Sequence, residues 1–450
     1  MSKNETTEKD GGFLDRFFQI KAHGSTVRTE VMAGITTFMT MAYIIAVNPN
    51  ILADAGMDRG GVFTATILSS LIATLVMALY AKLPFALAPG MGLNAYFTYS
   101  VVIGMGVTWQ FALTAVLIEG VIFLLFSFVG VREKIFNSIP MTLKKAVSVG
   151  IGLFICLIGL INGGLVVSNE DTVLSLGNLT SPGVLLTMIG LIIIGVLYAY
   201  KVRGALLIGI LASTVIGMIM GITDLPTGVF SLPPSLSNVA FQFEWSNILT
   251  WKMVIAVFTF LFVDVFDTIG TLIGVASKAN MLDEEGKLPR ANRALTADAI
   301  GTVAGAALGT STVTTYVESA AGVAEGGRTG LTALTTAGMF VLSLFFYPII
   351  GIIPSQATAP ALVMVGLFMM SPIKEIDLTE DYTEAIPAFL TIVMMPFAYS
   401  IAEGIVFGMV SYVILKVLSG KAKSVSITMY ILAALFILRT VLPLITQAIL

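Results

Sequence analysis

Long apolar runs recur along almost the entire chain, and they limit its fold more than any other feature. About 20 apolar residues are what an α-helix needs to cross the hydrocarbon core of a bilayer. Charged residues make up only 11% of this sequence, whereas a soluble domain carries about 25%. The sequence therefore predicts an all-α polytopic membrane protein. The runs lie at 31–50, 62–80, 84–103, 109–130, 143–162, 182–200, 204–222, 252–276, 293–309, 311–326, 329–353, 357–371, 385–400, 402–418 and 425–447.

Positively charged residues are distributed unevenly between alternate loops. Lys and Arg lie in the stretches "VREKIFNSIPMTLKK", "YKVRG", "SKANMLDEEGKLPRANR", "GGRTG" and "LKVLSGKAK". Neither 161–183 nor 221–250 contains one. Because cytoplasmic loops carry an excess of Lys and Arg, we expect a cytoplasmic N-terminal tail at 1–30. The first span then acts as an uncleaved anchor, and the chain is a multi-pass protein of the cytoplasmic membrane.

A long polar stretch divides the hydrophobic sequence into two halves. We expect the first repeat at 31–222, an extracytoplasmic linker at 223–250, the second repeat at 251–420 and a C-terminal hydrophobic segment at 421–450. Each half has an interrupted third segment. The first reads "PFALAPGMGLNAYFTYS" and the second "ALGTSTVTTYVESAAGV", whose β-branched residues favour extended backbone. Paired interrupted segments of this kind indicate the binding site of a transporter.

Two aspartates lie three positions apart in the apolar run "LFVDVFDTIGTLIG", and they are the most informative polar residues of the chain. Residues three apart on a helix are neighbours on its surface, so we expect Asp264 and Asp267 to share a face. An ionised side chain at membrane depth costs several kcal/mol and is usually functional. Glu318 follows the extended-looking "TSTVTTYV" and precedes a helix start. There it can face a cavity or simply cap that helix.

The other acidic residues at membrane depth have structural interpretations. Glu119 in "LTAVLIEGVIFLLF" is expected to form a hydrogen bond to a neighbouring helix. Asp298 in "ALTADAIGTVAG" is expected to form an ion pair with Arg290 or Arg293, or to lie at the cytoplasmic end of its span. Glu403 in "AYSIAEGIVFG" fits a helix N-terminus, where negative charge is stabilised.

Carboxylates and an amide that meet at mid-membrane suit a small planar ligand with N–H donors and carbonyl acceptors. The same carboxylates can hold a coupling proton, for which the candidates are Asp264, Asp267 and Glu318. Glycines in this region allow the backbone to approach a ligand closely. The predicted ligand-binding residues are Asp267, Glu318, Asn94, Tyr96, Asp264 and Thr315, with close backbone approach at Gly90, Gly92 and Gly270.

The composition excludes several other classes of protein. The chain has one histidine, His23, and one cysteine, Cys156, which argues against disulfide frameworks, Cys/His metal sites and Ser/His/Asp hydrolysis. No basic tract indicates nucleic acid. We expect neither a metal nor a cofactor, and no enzymatic activity. An anion transporter would need a cation at mid-membrane, and residues 314–318 contain neither Lys nor Arg.

Four long motifs connect the chain to a known family. The stretches "GMGLNAYF", "FVDVFDTIGTLIG", "GTSTVTTYVESAAGVAEGGRTGLTA" and "AIPAFLTIVMMPFAYSIAEGI" resemble the purine-transporting AzgA-like branch of the nucleobase–cation symporter-2 family. The resemblance covers nearly the whole chain. It implies two inverted seven-span repeats that form a core domain and a gate domain, with short antiparallel strands in the third and tenth segments. It also implies a homodimer through the gate domain.

The resemblance further implies roles for individual residues. By similarity to the uracil–proton symporter, Asp267 and Glu318 match the two substrate-binding carboxylates. Within the AzgA-like branch, Asn94, Asp264 and Glu318 match central positions. We therefore expect proton-coupled uptake of purine nucleobases by alternating access. Guanine and hypoxanthine are favoured because a 6-oxopurine offers an N–H at N1, where adenine has an acceptor; an adenine permease is the alternative.

Overall fold

The computed structural model describes residues 12–129, 139–278, 281–283 and 288–437. Within these ranges, nine helices are long and apolar enough to cross a membrane. The helices are α1 (Phe13–Phe18), α2 (Val27–Met41), α3 (Ile44–Asp54), α4 (Arg59–Val76), α5 (Met91–Ala95), α6 (Trp109–Val129), α7 (Met141–Asn162), α8 (Pro182–Ala199), α9 (Ala205–Ile219), α10 (Trp251–Lys278), α11 (Ala291–Leu308), α12 (Ser319–Ala324), α13 (Gly330–Ser343), α14 (Tyr347–Ile350), α15 (Ser355–Met369), α16 (Tyr382–Phe397), α17 (Ile401–Leu418) and α18 (Ile427–Ile437).

Strands and tighter or wider helical turns complete the described structure. The strands are β1 (Leu87–Pro89), β2 (Val166–Asn169), β3 (Val173–Leu176) and β4 (Val313–Thr315). Two π-helical segments span Met77–Ala81 and Tyr96–Gly104, and 3₁₀ turns lie at Lys21–His23, Leu344–Phe346, Ser371–Glu375 and Ala422–Ser424. The prediction of a polytopic helical protein is confirmed.

The helices pack into two groups, and each group takes helices from both halves of the sequence. The first group consists of α2, α3, α4, α6, α10, α11 and α13. The second group consists of α7, α8, α9, α15, α16 and α17. Helix α11 packs against α4 and α6 in the first group, whereas α15 packs against α7 and α8 in the second. This mixing of the two halves is the arrangement expected of a core domain and a gate domain.

Two details differ from the apolar runs of the sequence. The first run is interrupted at Ala42 and Tyr43, so α2 and α3 are separate helices. A hairpin, β2 with β3, lies in the loop after α7, where no strand was expected. The predicted C-terminal segment begins with the 3₁₀ turn and α18, and its residues after 437, including Arg439, lie outside the described part.

Small residues allow α7 and α15 to approach each other closely. A Cβ atom added at Gly366 would lie 2.5 Å from the carbonyl oxygen of Gly152, and one added at Gly152 would lie 2.6 Å from that of Gly366. Helices in membranes associate through such small-residue contacts because burial in lipid provides no hydrophobic driving force. The second helix group therefore depends on the absence of side chains at this crossing.

We predict that Gly366→Leu destabilises the detergent-solubilised protein by about 1–3 kcal/mol, since the added side chain forces the two backbones apart. Thermal melting followed by size-exclusion chromatography measures the effect. Gly338→Leu is the matched control, because a Cβ at Gly338 of α13 would meet no atom within 4 Å. Equal melting temperatures of the two variants would contradict the importance of this crossing.

Candidate functional site

The two interrupted segments meet as a short antiparallel strand pair. Leu87, Ala88 and Pro89 of β1 lie opposite Thr315, Thr314 and Val313 of β4. The pairing continues at one end, where the amide of Gly90 donates to the carbonyl of Thr312 at 3.0 Å. The predicted strands in the third and tenth segments are confirmed.

Gly90 is required where β1 ends. A Cβ atom there would lie 2.5 Å from Cγ2 of Thr314 on the opposite strand and 3.5 Å from Oδ2 of Asp267. The missing side chain lets the two backbones pair and leaves Asp267 close to the backbone at this turn. Close approach of this backbone to a ligand stays a prediction.

Hydroxyl groups from neighbouring helices bind the outer edges of the strand pair. Thr74 of α4 accepts from the amide of Leu87 at 3.0 Å and lies 3.2 Å from its carbonyl. Thr302 of α11 donates to the carbonyl of Val313 at 3.0 Å. Unsatisfied backbone groups in a membrane interior cost several kcal/mol each. These side chains therefore allow extended backbone to persist inside a helical membrane protein.

Asp298 takes part in this support, and its predicted ion pair with Arg290 or Arg293 is wrong. The carboxylate is fully buried and accepts from the amide of Thr315 at 3.1 Å and from the hydroxyl of Thr268 at 2.9 Å. The guanidinium of Arg293 instead lies over the ring of Tyr80, 5.4 Å from its centroid. Local sequence pointed to the nearby arginines, but the helix turns Asp298 inward toward β4.

Thr268 connects the carboxylates behind the strands. Its hydroxyl lies 3.2 Å from Oδ1 of Asp264, 2.9 Å from Oδ1 of Asp298 and 2.7 Å from the hydroxyl of Thr314. All four residues are buried, with exposed fractions of 1% or less. One hydroxyl group thus joins α10, α11 and β4 in a single polar layer.

Asp264 and Asp267, which the sequence placed on one face, point to different surroundings. Asp264 is fully buried beside Thr268, whereas Asp267 is half-buried and has an oxygen near Gly90. Asp267 also lies close enough to Glu318 for the two carboxylates to interact electrostatically. Three positions on a helix turn a side chain by about 60°, which is sufficient to separate the two environments.

Glu318 lies immediately before α12, but its side chain does not cap that helix. Its Oε1 accepts a hydrogen bond from the hydroxyl of Tyr43 at 2.7 Å, and its side chain is half-buried. The simple capping alternative is therefore wrong. The carboxylate is held from the break between α2 and α3.

Asn94 and Tyr96 are enclosed by other side chains, and their contact with a ligand stays a prediction. Both are fully buried. The amide oxygen of Asn94 accepts from the hydroxyl of Ser311, and its nitrogen donates to the carbonyl of Pro89 at 3.4 Å. The ring of Tyr96 packs edge-on against Phe260 of α10, with 4.7 Å between centroids. Asn94 therefore supports the end of β1 and the segment before β4, whereas Tyr96 packs against α10.

Thr315 and the two remaining glycines have different surroundings. The hydroxyl of Thr315 is buried and has no hydrogen-bond partner in the described part of the chain. A Cβ at Gly92 would lie 2.8 Å from Cγ2 of Ile151, so this glycine serves helix packing. Gly270 is exposed, and a Cβ there would meet nothing within 4 Å. The space beside Gly270 is open, and its close approach to a ligand stays a prediction.

Of the two remaining acids, Glu403 lies at a helix N-terminus as predicted, whereas the contact of Glu119 is to Thr312, which precedes β4 and is not in a helix. Glu119 is fully buried and accepts from the hydroxyl of Thr312 at 3.3 Å. Glu403 lies in the first turn of α17, where its own amide donates to the Ser400 hydroxyl at 3.3 Å. Among the described residues, no group of three or more His, Cys, Asp or Glu side chains could hold a metal ion.

We predict that Thr268→Val destabilises the solubilised protein by about 1–3 kcal/mol, because two buried carboxylates lose a shared hydroxyl partner. Thr268→Ser keeps the hydroxyl and should melt close to the wild type. Thr296→Val on α11 is the control, since Thr296 donates only to its own helix at Asn292, at 2.8 Å. Melting of Thr268→Val at the wild-type temperature would show that the hydroxyl does not hold this layer together.

Comparison with known proteins gives one consistent family. Residues 28–407 match the model of a permease family, Xan_ur_permease. The guanine/hypoxanthine permease PbuG of Bacillus subtilis (strain 168) is 46% identical over 94% of this chain and 99% of its own length. The adenine permease AdeQ of Escherichia coli (strain K12) is 44% identical over 98% of this chain and 99% of its own length.

The fold is also found in a solved membrane transporter. The transmembrane domain of the cyanobacterial bicarbonate transporter BicA superposes with a TM-score of 0.64 at 16% identity, covering 85% of this chain and 97% of that domain. At this identity the likeness shows the fold alone, so it does not indicate an anion as the substrate. Members of the matched family are transporters and not enzymes. This chain therefore belongs to the nucleobase–cation symporter-2 family of permeases.

Proposed function

We propose that this protein is a proton-coupled permease of the cytoplasmic membrane that takes up guanine and hypoxanthine. One observation carries the proposal: Asp267 and Glu318 are half-buried next to the strand pair, Asp267 with an oxygen near Gly90 and Glu318 three residues after β4. They are thus the carboxylates of this region that a ligand can reach, whereas Asp264 and Asp298 are fully buried.

The chemistry of these two carboxylates supports a 6-oxopurine. An ionised carboxylate only accepts hydrogen bonds, and guanine and hypoxanthine each present an N–H at N1. Adenine presents a lone pair there, which an ionised carboxylate repels. The buried hydroxyl of Thr315 adds a group able to donate to a ring nitrogen or a carbonyl.

The buried layer supports proton coupling. Thr268 has a single hydroxyl hydrogen but lies within hydrogen-bond distance of both Asp264 and Asp298. The hydroxyl of Thr268 can donate to one carboxylate. It can also accept from the other carboxyl group when that group is protonated, and both contacts are then attractive. Close by, Asp267 and Glu318 repel each other less when one of them is protonated. We therefore propose Asp264, Asp267 and Glu318 as the proton-binding positions, with Asp298 as a partner of Asp264.

Transport itself follows from the division into two helix groups. The first group carries the carboxylates and both strands, and the second packs largely on itself. We propose that the first group moves against the second to expose the site to either side, with the N-terminus in the cytoplasm because the basic loops lie on that side. A homodimer through the second group is the assembly that the sequence resemblance implies.

Adenine is the second candidate substrate, and a specific observation favours it. The adenine permease AdeQ is nearly as similar to this chain as the guanine/hypoxanthine permease PbuG. A protonated carboxyl group can donate to N1 of adenine, so the same site accommodates adenine if Asp267 or Glu318 holds a proton when the base binds. The protonation state during binding decides between the two substrates.

We predict that Asp267→Asn and Glu318→Gln each reduce hypoxanthine uptake by at least about 100-fold, because each removes a charged acceptor of the ligand. The measurement is uptake of radiolabelled hypoxanthine into cells that lack their own purine permeases. A protonophore should abolish wild-type uptake, and excess guanine should compete with it. Asp171→Asn, an exposed substitution in the turn between β2 and β3, is the control and should transport normally.

Three outcomes would contradict the proposal in different ways. If uptake persists in both neutral variants, these carboxylates do not bind the substrate and have only a structural role. Competition by adenine and not by guanine would mean that the proposed site is right but that its substrate is adenine. Uptake insensitive to the protonophore but dependent on Na⁺ would replace the coupling ion.

A further inference from the structure

The break in the first membrane span holds a tyrosine against the candidate site. Tyr43 lies between α2 and α3 and is 1% exposed. Its hydroxyl donates to Oε1 of Glu318 at 2.7 Å. From the preceding turn, the hydroxyl of Thr40 lies 3.4 Å from the backbone carbonyl of Glu318. The end of α2 therefore contacts both the side chain and the main chain of Glu318.

Tyr43 is the side chain that donates to the Glu318 carboxylate in the part of the chain that the structure describes. Tyr316 is close, but its hydroxyl donates to the carbonyl of Pro89 at 2.6 Å. Tyr198 of α8 faces Glu318 from the second helix group, and Asp267 faces it from α10. Tyr43 thus donates to Oε1, the carboxylate also lies close to its own backbone amide, and acceptor positions remain on its two oxygens for a ligand.

We propose that Tyr43 is a positioning residue that sets the preference between purines. Guanine presents the N1 hydrogen and the 2-amino group side by side, a pair that fits both oxygens of a free carboxylate. Hypoxanthine presents the N1 hydrogen alone. Because Tyr43 already donates to Oε1, the second N–H of guanine has to share that oxygen with the phenol, so we expect Glu318 to give guanine little advantage and to be held in the orientation that a single N–H requires. This inference rests on the proposed function, since it assumes that Glu318 contacts the N1 edge.

The test is the Tyr43→Phe variant, which keeps the ring and removes only the hydroxyl. We expect the KM for hypoxanthine to rise about tenfold, the loss of one charge-assisted hydrogen bond. The KM for guanine should change much less, because its second N–H replaces the hydroxyl on Oε1. The maximal rates should stay near those of the wild type. Tyr430→Phe is the matched control, since Tyr430 lies after α17 and donates to the carbonyl of Ala422 at 3.0 Å.

Each outcome bears on a different statement. An equal rise in both KM values, or a lower maximal rate with unchanged KM values, would assign Tyr43 to folding or movement and overturn the inference. Unchanged kinetics would overturn it as well. A wild type that takes up neither purine would overturn the proposed function, and the inference with it, before any variant is compared.

A ligand-side measurement tests the inference if Tyr43→Phe does not reach the membrane. In the wild type, an occupied Oε1 predicts inhibition constants for guanine and hypoxanthine within about threefold of each other. A free carboxylate would favour guanine by about tenfold or more, the contribution of one further charge-assisted hydrogen bond. A preference of that size would overturn the role of Tyr43.

Discussion

The hydrogen-bonding requirement of the backbone at membrane depth governs this structure. The third and tenth segments leave the helical conformation, so their N–H and C=O groups need partners that lipid cannot supply. They find them in each other and in the side chains of Thr74, Thr302 and Asp298. Many of the buried polar side chains in the first helix group therefore have a structural role that requires no ligand.

Once that requirement is met, the acidic residues separate into two sets. Asp264, Asp298 and Glu119 are fully buried and contact threonine hydroxyl groups. Asp267 and Glu318 are half-buried beside the strand pair. The first set holds the strands in place, and the second faces the region where a ligand can bind. A rigid polar layer behind a small number of accessible carboxylates is the arrangement that orients a planar ligand with little loss of entropy on binding.

The fold does not by itself determine what is carried. The BicA domain shares this architecture at 16% identity, and relatives of similar identity within the family are named for different purines. A shared fold therefore does not identify the substrate, because function depends on the individual side chains of a site. The hydroxyl of Tyr43, which donates to one oxygen of the Glu318 carboxylate, is a feature of this kind. One hydrogen bond of this type changes affinity by about tenfold.

The sequence by itself determined the apolar spans, the two interrupted segments and the aspartates inside α10, because composition and periodicity report directly on lipid and on backbone propensity. It did not determine which neighbour each polar side chain meets. Asp298 has arginines nearby in sequence but accepts from an amide of β4 in space. Glu318 precedes a helix but accepts from Tyr43, at the break in the first span. Only the tertiary structure decided these points, because they depend on how segments from the two halves of the chain are rotated against each other, and no local pattern encodes that rotation.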